Sequence, residues 1–301
     1  MVVRASGWDD REVLIHDGSV WTRPDTSWSV KAARALEHFR ALEAEVEAFR
    51  EQEPYTLTPE VTAKPGRLAY RLHFQFPFPT SISAIIGDVL ANLRAALECL
   101  AYGVAAAGHG GVLPAELESR TTFPIAKDPA HFDRILQKAP HLYTDQARHA
   151  LRVVQPFIFG EECERHGVAR TRGYDEDFLW SDLHRLDRLW NIDKHRRLNL
   201  LAWWPGLLWW SSDGDSQRRM YPGDGTLTDG SVLFYMEGED PGFGTTVEHD
   251  FNIVLTDDPA HLAEPGATKD VLKLLAHFCE TVTGQVFPRV FSVMSQPWPA
   301  L

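Results

Sequence analysis

Four polar side chains recur along one side of a strongly periodic segment, residues 177–197. They are His184, Arg188, Asn191 and His195, spaced i, i+4, i+7 and i+11. At about 100° per residue, a helix places these four side chains within an arc of roughly 60°. Two imidazoles, a guanidinium and a carboxamide in one row are suited to acid–base chemistry on an anionic substrate.

Arg188 and His195 are the pair with the most definite chemistry. An imidazole with a pKa of roughly 6.5 exchanges a proton near neutral pH, and a guanidinium binds a phosphate and offsets the charge that develops on it. In principle this pair suffices for metal-independent cleavage of RNA, in which the 2′-hydroxyl is the nucleophile. Asn191 lies between them and can orient the phosphate or the imidazole. Arg188, Asn191 and His195 are therefore the candidate catalytic residues.

A second predicted helix, over residues 81–107, carries its own short polar row with Asp88 and Asn92, and Arg94 and Glu98 form an i, i+4 pair on its flank. We expect Asp88 and Asn92 to face the first row across a helical bundle. A structural alternative stays open, in which a hydrogen-bonded network joins the helices and Asp88 holds an arginine. The candidate binding residues are Asp88, Asn92, Arg94, His184, Asp193, Lys194 and Arg196.

Metal binding by the two histidines of the row is excluded by their spacing. His184 and His195 are three helical turns apart, roughly 16 Å along the axis, so one ion cannot bind both. We predict no metal site and no cofactor. A metal-dependent hydrolase that uses Asp88 or Asp187 remains an alternative.

The segment from Arg188 to His195, R-L-W-N-I-D-K-H, resembles the R-x(4–6)-H signature of the HEPN superfamily of helical nucleases, toxins and defence proteins. The resemblance implies a helical domain that forms a homodimer and brings the arginine–histidine pairs of two chains together on RNA. The expected function is thus a metal-independent RNase or a defence-associated effector.

A second resemblance covers more of the chain. Gly87-Asp88, Asn92-Leu93-Arg94 and Asn191-Ile192-Asp193-Lys194-His195-Arg196 are similar to the pattern G-D-x-x-x-N-L-R…D-K-H-R of a widespread bacterial family. Glu98 stands where an aspartate is expected in that family. This resemblance implies no activity.

Composition sets limits on location and partners. The net charge of −12 argues against a protein that coats nucleic acid, although residues 184–197 hold five basic residues against two acidic ones. The chain has no apolar run of the roughly 20 residues that span a bilayer, and its first residues lack the apolar region of a secretory signal. Three dispersed cysteines fit a reducing cytoplasm. We predict a cytoplasmic protein with RNA as its partner, and no DNA or membrane partner.

Hydropathy patterns predict an α+β, mainly α fold in a single domain over residues 1–301. Its centre is a bundle of long helices with antiparallel β hairpins before and after it. The predicted parts are a helix within 27–54, a hairpin over 55–76, a helical core over 81–197, an antiparallel β insertion over 198–256 and a helix over 268–287.

Local patterns assign individual residues and turns within these parts. In the 177–197 helix, Leu179, Leu183, Leu186 and Trp190 form the apolar side. Pro205-Gly206 separates two strands, Leu198–Trp204 and Leu207–Ser212, and the stretches 213–230 and 238–244 are turns. Residues 159–176 form an exposed loop.

A non-catalytic binding module is the alternative to an RNase. Its contact surface would be the aromatic part of the β insertion, with Trp203, Trp204, Trp209 and Trp210. Packing of these rings on the helices is the structural explanation of the same residues.

Overall fold

The computed structural model describes residues 25–158, 181–195, 199–212, 219–223, 229–238, 245–256 and 269–296. Long helices and antiparallel strands make up these ranges, so the α+β, mainly α class is confirmed. The predicted loop over 159–176 lies outside the described residues, as do the side chains of the four tryptophans in the β insertion.

The first helix, α1 (Ser27–Arg50), buries a narrow apolar stripe. Phe39, Leu42, Val46 and Phe49 are buried as the periodicity predicts. Leu36 is only half-buried, and the adjacent Ala35 is fully buried in its place. The buried side of α1 at this turn is therefore formed by Ala35 rather than by Leu36.

Helix α2 (Thr80–Gly108) is apolar over most of its circumference. The apolar residues of its sequence recur at helical spacing, which predicts one buried stripe. All seven residues of this stripe are fully buried: Ile82, Ile86, Leu90, Leu93, Leu97, Leu100 and Val104. Two glycines permit close contacts, because a Cβ at Gly103 would lie 2.5 Å from the Trp28 ring and one at Gly87 would lie 2.7 Å from the Asp193 carboxylate. The buried stripe shows that α2, from Ile86 onward, lies in the core of unit 1.

Three short helices follow α2: α3 (Ala115–Glu118), α4 (Pro129–Gln137) and α5 (Asp145–Arg152). The sequence predicts the last two near 129–138 and 144–155, with Thr144 as the cap of the second, and both helices have a side-chain N-cap. The side chain of Asp128 accepts a hydrogen bond from the backbone N–H of His131, and Thr144 accepts one from Ala147. Helix α3, a single turn, was not predicted.

Helix α6 (Asp182–His195) is the described part of the predicted 177–197 helix. Ser181 caps it by accepting a hydrogen bond from the N–H of His184. Its buried face consists of Leu183, Arg185, Leu186 and Leu189. Leu183 and Leu186 are thus confirmed as core residues, Trp190 is only half-buried, and Leu179 lies outside the described residues.

Two antiparallel sheets are formed by strands β1 to β7. Their bounds are β1 Tyr55–Val61, β2 Arg67–Phe74, β3 Asn199–Ser212, β4 Arg219–Pro222, β5 Val232–Glu237, β6 Thr245–Thr256 and β7 Lys269–Asp270. One sheet has the order β1-β2-β5-β4 and the other β3-β6-β7. The predicted hairpin of residues 55–76 therefore joins strands that come more than 140 residues later in the chain.

The prediction of two strands around Pro205-Gly206 is wrong. Strand β3 is continuous and pairs with β6 from Asn199 to Ser212, with register shifts on either side of Pro205. A bulge is where a strand tolerates a proline, because the missing N–H then costs no ladder hydrogen bond. The prediction of only turns over 213–230 is also wrong, because β4 lies there.

The predicted C-terminal helix has a different internal structure. It consists of α7 (Val271–Glu280), a π-helical segment (Thr281–Val286) and α8 (Phe287–Met294). Pro288 has no N–H to donate to the carbonyl group of Gly284, so regular α-helical bonding cannot continue through this point. The π-helical segment accommodates the lost hydrogen bond, and the chain continues directly into α8.

The chain divides into two compact units. Unit 1 contains residues 1–39, 86–196 and 275–301, and unit 2 contains residues 40–85 and 197–274. The single domain over 1–301 stays a prediction. Among the described residues, no helix has the length and apolar character to cross a bilayer.

The contact between Gly103 and Trp28 gives a stability prediction. The Trp28 ring also packs against Phe291, with ring centroids 6.4 Å apart, so it has little freedom to move away. Overlap with an added methyl group costs about 1–3 kcal/mol, whereas replacing a helical glycine by alanine gains about 1 kcal/mol. We expect Gly103→Ala to lower the free energy of unfolding by about 1 kcal/mol in urea denaturation.

Ala84→Ser provides the control, because Ala84 is exposed on the same helix. It should change the free energy of unfolding by less than about 0.5 kcal/mol. A Gly103→Ala variant as stable as the wild type would show that the Trp28 ring makes room for the added methyl group, and it would contradict the predicted overlap.

Candidate functional site

The three candidate catalytic residues all lie on the exposed side of α6. Arg188, Asn191 and His195 are exposed, and they occupy successive turns of the helix. From Arg188 to His195 the helix rises by roughly 10 Å. Side chains of these lengths can therefore reach a common group that lies above Asn191.

Asn191 is held in place by the preceding turn. Its Nδ2 donates to the backbone carbonyl of Asp187 at 2.8 Å and approaches Asp187 Oδ2 at 3.3 Å. These bonds leave the carboxamide oxygen of Asn191 directed away from Asp187. The arrangement suits a group that orients a ligand or a neighbouring imidazole.

Beneath this exposed row, α6 is fixed by the guanidinium of Arg94 on α2. Arg94 Nη2 lies 2.6 Å from Glu98 Oε1, and Arg94 Nε lies 3.2 Å from Asp187 Oδ1. Arg94 is 7 % exposed, whereas the side chains of Glu98 and Asp187 are 35 % and 31 % exposed, so a buried cation meets two half-buried carboxylates. The Nε contact has the distance of an ion pair without the angle of a directed hydrogen bond. Arg94 is thus a structural centre rather than a group open to a ligand.

The same guanidinium is bound to the segment that follows α3. Both Arg94 Nη1 and Nη2 donate to the carbonyl of Phe123 at 3.4 Å, while Glu98 accepts a 2.8 Å hydrogen bond from the N–H of Phe123. Burial raises the pKa of Glu98, and Arg94 and the Phe123 N–H oppose that rise. Nearby, burial also raises the pKa of Tyr143, whose hydroxyl donates to the carbonyl of Thr122.

Trp190 covers this ion-pair network on its outer side. The guanidinium carbon of Arg94 lies 5.6 Å from the indole centroid, and Lys194 Nζ lies 5.1 Å from it. Both cations are within the distance at which an aromatic ring attracts positive charge. The half-buried indole of Trp190 therefore packs against two cations, whereas the sequence predicts Trp190 on the apolar side of the helix.

Helices α2 and α6 also come close at Gly87 and Asp193. The Asp193 carboxylate lies over Gly87, and burial, with a smaller effect of the Asp88 charge, raises the pKa of Asp193. On its other side, Asp88 Oδ2 lies 4.0 Å from His38 Nδ1 on α1. Asn92 donates to the backbone carbonyl of Asp88. The described carboxylate that pairs with an arginine across α2 and α6 is Asp187, rather than the predicted Asp88.

The other candidate binding residues lie at the two ends of α6. His184 is half-buried in its first turn, whereas Lys194 is exposed in its last turn. Arg196 lies outside the described residues. Of the candidate set, the structure places Arg94 in an ion-pair network with Glu98 and Asp187, and it leaves Arg188, Asn191, Lys194 and His195 exposed along α6.

Asp187 and Trp190 are the site residues that sequence reasoning missed. A signal existed, because Arg94 and Glu98 form an i, i+4 pair on α2 and Asp187 and Trp190 form an i, i+3 pair on α6. Within the described ranges, no group of three His, Cys, Asp or Glu side chains is placed to hold a metal ion. Comparisons with protein-family models, curated proteins and solved structures found no match.

The Arg94 network predicts a destabilising substitution at Asp187. Asp187→Asn removes one of the two carboxylates that offset the buried charge of Arg94. We expect the free energy of unfolding at pH 7 to fall by about 1–2 kcal/mol in urea denaturation. Glu37→Gln breaks the exposed ion pair with Arg34 and should cost less than about 0.5 kcal/mol. Equal losses in the two variants would refute the structural role of Asp187.

The same substitution at Asp193 should have the opposite sign. In the folded chain, burial and Asp88 disfavour the ionised form of Asp193, so its raised pKa lowers stability as the pH rises through that value. Asp193→Asn removes this cost, and we expect it to unfold at a higher urea concentration than the wild type at pH 7.

The advantage of Asp193→Asn should shrink on acidification and disappear below the ordinary aspartate pKa of 3.8, where both states of the wild type are protonated. Urea titrations between neutral and acidic pH measure this trend. An advantage that is independent of pH would contradict the assigned cause.

Proposed function

We propose that the protein is a metal-independent, HEPN-like endoribonuclease that acts in the cytoplasm as a homodimer. The observation that carries the proposal is the exposed row of Arg188, Asn191 and His195 on one face of α6. The residue types match the needs of RNA cleavage, and the row is open to a polymeric substrate. Its resemblance to the R-x(4–6)-H signature supports the same activity.

Arg188 and His195 have separate roles in the proposed cleavage of RNA. Arg188 binds the scissile phosphate and offsets the negative charge that develops on its oxygens. His195 accepts the proton of the 2′-hydroxyl as the 2′-oxygen attacks phosphorus and the bond from phosphorus to the 5′-oxygen breaks. The leaving 5′-oxygen takes a proton from the protonated His195 of a second copy. The products are a 2′,3′-cyclic phosphate and a 5′-hydroxyl.

Local charge and rigidity favour this assignment. Lys194 is exposed beside His195, and the sequence continues with Arg196 and Arg197. An anionic strand is attracted to such a cluster even though the whole chain carries −12. The Arg94 ion pairs with Glu98 and Asp187 hold the helix beneath the row, so the catalytic groups project from a fixed support.

Incubation of the purified chain with labelled single-stranded RNA in EDTA tests the proposal. We expect cleavage to fragments with 2′,3′-cyclic phosphates, and no cleavage of the same sequence with 2′-O-methyl groups. His195→Ala should lower the rate by about 100-fold or more, because it removes the general base. Arg188→Ala should lower it by a similar factor, and Arg188→Lys should retain part of the activity because it keeps the charge.

His277→Ala is the matched control, since His277 is an exposed histidine on α7. It should cleave RNA at the wild-type rate. Intact RNA after incubation with folded wild-type chain, across several sequences, would refute the proposal. Equal activity of the His195→Ala variant would refute the role of His195.

A further inference from the structure

The four-stranded sheet of unit 2 has one apolar face and one face of basic and aromatic residues. Val232, Phe234 and Met236 of β5 are buried, and they alternate with the half-buried Tyr235 and Glu237. Directly paired residues of antiparallel strands share a face. Tyr235 pairs with Ala69 and Tyr221, and Glu237 pairs with Arg67 and Arg219. We call this side, formed by Lys64, Arg67, Arg219, Tyr221, Tyr235 and Glu237, the basic sheet face.

Three cations of the basic sheet face surround a single carboxylate. Lys64 Nζ donates to Glu237 Oε1 at 2.6 Å, and Arg67 Nη1 lies 3.4 Å from the same oxygen. The hydrogen bond from Lys64, with the charges of Lys64, Arg67 and Arg219, lowers the pKa of Glu237. Glu60 shares this face through its pairing with Ala69, and its charge is matched by Arg71. Among the described residues, the three cations around the single Glu237 carboxylate therefore leave a surplus of positive charge on the face.

The guanidinium of Arg67 is oriented by aromatic rings. Its central carbon lies 3.8 Å from the ring centroid of Tyr235 and 5.9 Å from that of Tyr221. Among the described residues it donates no directed side-chain hydrogen bond, and its contact with Glu237 is an ion pair. The Arg67 terminal N–H groups are therefore held in position and can bind an additional acceptor.

Positive charge beside an accessible aromatic ring is the combination that binds a nucleotide unit. Tyr221 is 36 % exposed on an edge strand, and Lys64 and Arg219 are exposed next to it. Cations bind the phosphates, and an exposed tyrosine ring offers a surface on which a base can stack.

We propose that the basic sheet face binds single-stranded RNA, with phosphates on Lys64, Arg67 and Arg219 and a base stacked on Tyr221. Charge complementarity carries this choice of partner, since the face is positive on a chain whose net charge is −12. The choice of RNA over DNA rests on the proposed RNase activity. Binding to this face requires neither Arg188 nor His195, so it can be tested separately from cleavage.

Fluorescence anisotropy with a labelled RNA oligonucleotide of about 12 nucleotides, in EDTA and with the His195→Ala chain, measures binding without cleavage. We expect Arg67→Gln, Lys64→Gln and Arg219→Gln each to weaken binding and to reduce the slope of log Kd against log salt by about 0.7. Tyr221→Leu should weaken binding by about tenfold without changing that slope, because it removes stacking and no charge.

Three further variants test whether RNA binding depends on the aromatic ring of Tyr221, on this face and on the guanidinium of Arg67. Tyr221→Phe should bind like the parent chain, since it keeps the ring. Arg34→Gln, an exposed arginine of α1 in unit 1, should also leave binding unchanged. Arg67→Lys keeps the charge and loses the planar guanidinium, so it should retain the salt slope and lose affinity. Thermal melts of each variant confirm that the sheet is folded.

Absence of binding at low salt would overturn the proposal, as would binding that Tyr221→Leu leaves unchanged. Equal displacement by duplex DNA of the same length would show attraction to any polyanion and would also overturn it. Equal affinity for single-stranded DNA would overturn the choice of RNA. Binding to this face by a chain that cleaves no RNA would support this site and refute the proposed activity alone.

Discussion

The buried charge of Arg94 is the constraint on which the arrangement of unit 1 depends. A guanidinium that is largely out of water must have anionic or carbonyl partners, or the fold pays several kcal/mol to bury it. Those partners come from three places in the sequence: Glu98 on the same helix, Asp187 on α6 and the carbonyl of Phe123. Satisfying one side chain therefore fixes a helix, a second helix and an extended segment together.

This requirement also decides which side of α6 faces outward. Asp187 must point to Arg94, so Arg188 and Asn191, on neighbouring positions of the helical wheel, are turned towards solvent. The contact of Asp193 with Gly87, six residues later, shows that α6 continues along α2 in the opposite direction. At one end of the helix pair, Arg94 is paired with Glu98 and Asp187. At the other end, the charge of Asp88 helps to raise the pKa of Asp193.

The helices and the hairpin could be predicted from the sequence because their apolar residues recur at regular spacing. The α2 stripe is confirmed residue by residue, and β1 and β2 pair as the predicted hairpin. Local pattern could not decide between Leu189 and Trp190, because adjacent apolar residues fit the same stripe and the choice depends on Arg94 of another helix. It also could not place Pro205 inside a strand, since a bulge there depends on the register with β6.

For the candidate site, sequence reasoning identified the exposed row and the Arg94–Glu98 pair, both of which arise within single helices. It left open that Asp88 of α2 holds an arginine of the facing helix, whereas the described ion pair between the two helices joins Arg94 of α2 to Asp187 of α6. Both pairings fit helical spacing, and only the packing of α2 on α6 decides which one forms.

The order of strands in the four-stranded sheet has a consequence for synthesis of the chain. Strand β2 leaves the ribosome long before β5, the strand that completes its pairing. Until β5 emerges, one edge of the β1–β2 hairpin has unsatisfied N–H and C=O groups, which in a nascent chain can pair with another molecule. Arg67 and Arg71 of β2 point from the face opposite the apolar one, and such charges discourage pairing with a second hairpin. The basic residues of this strand therefore protect an early intermediate of folding as well as shaping the surface of the finished sheet.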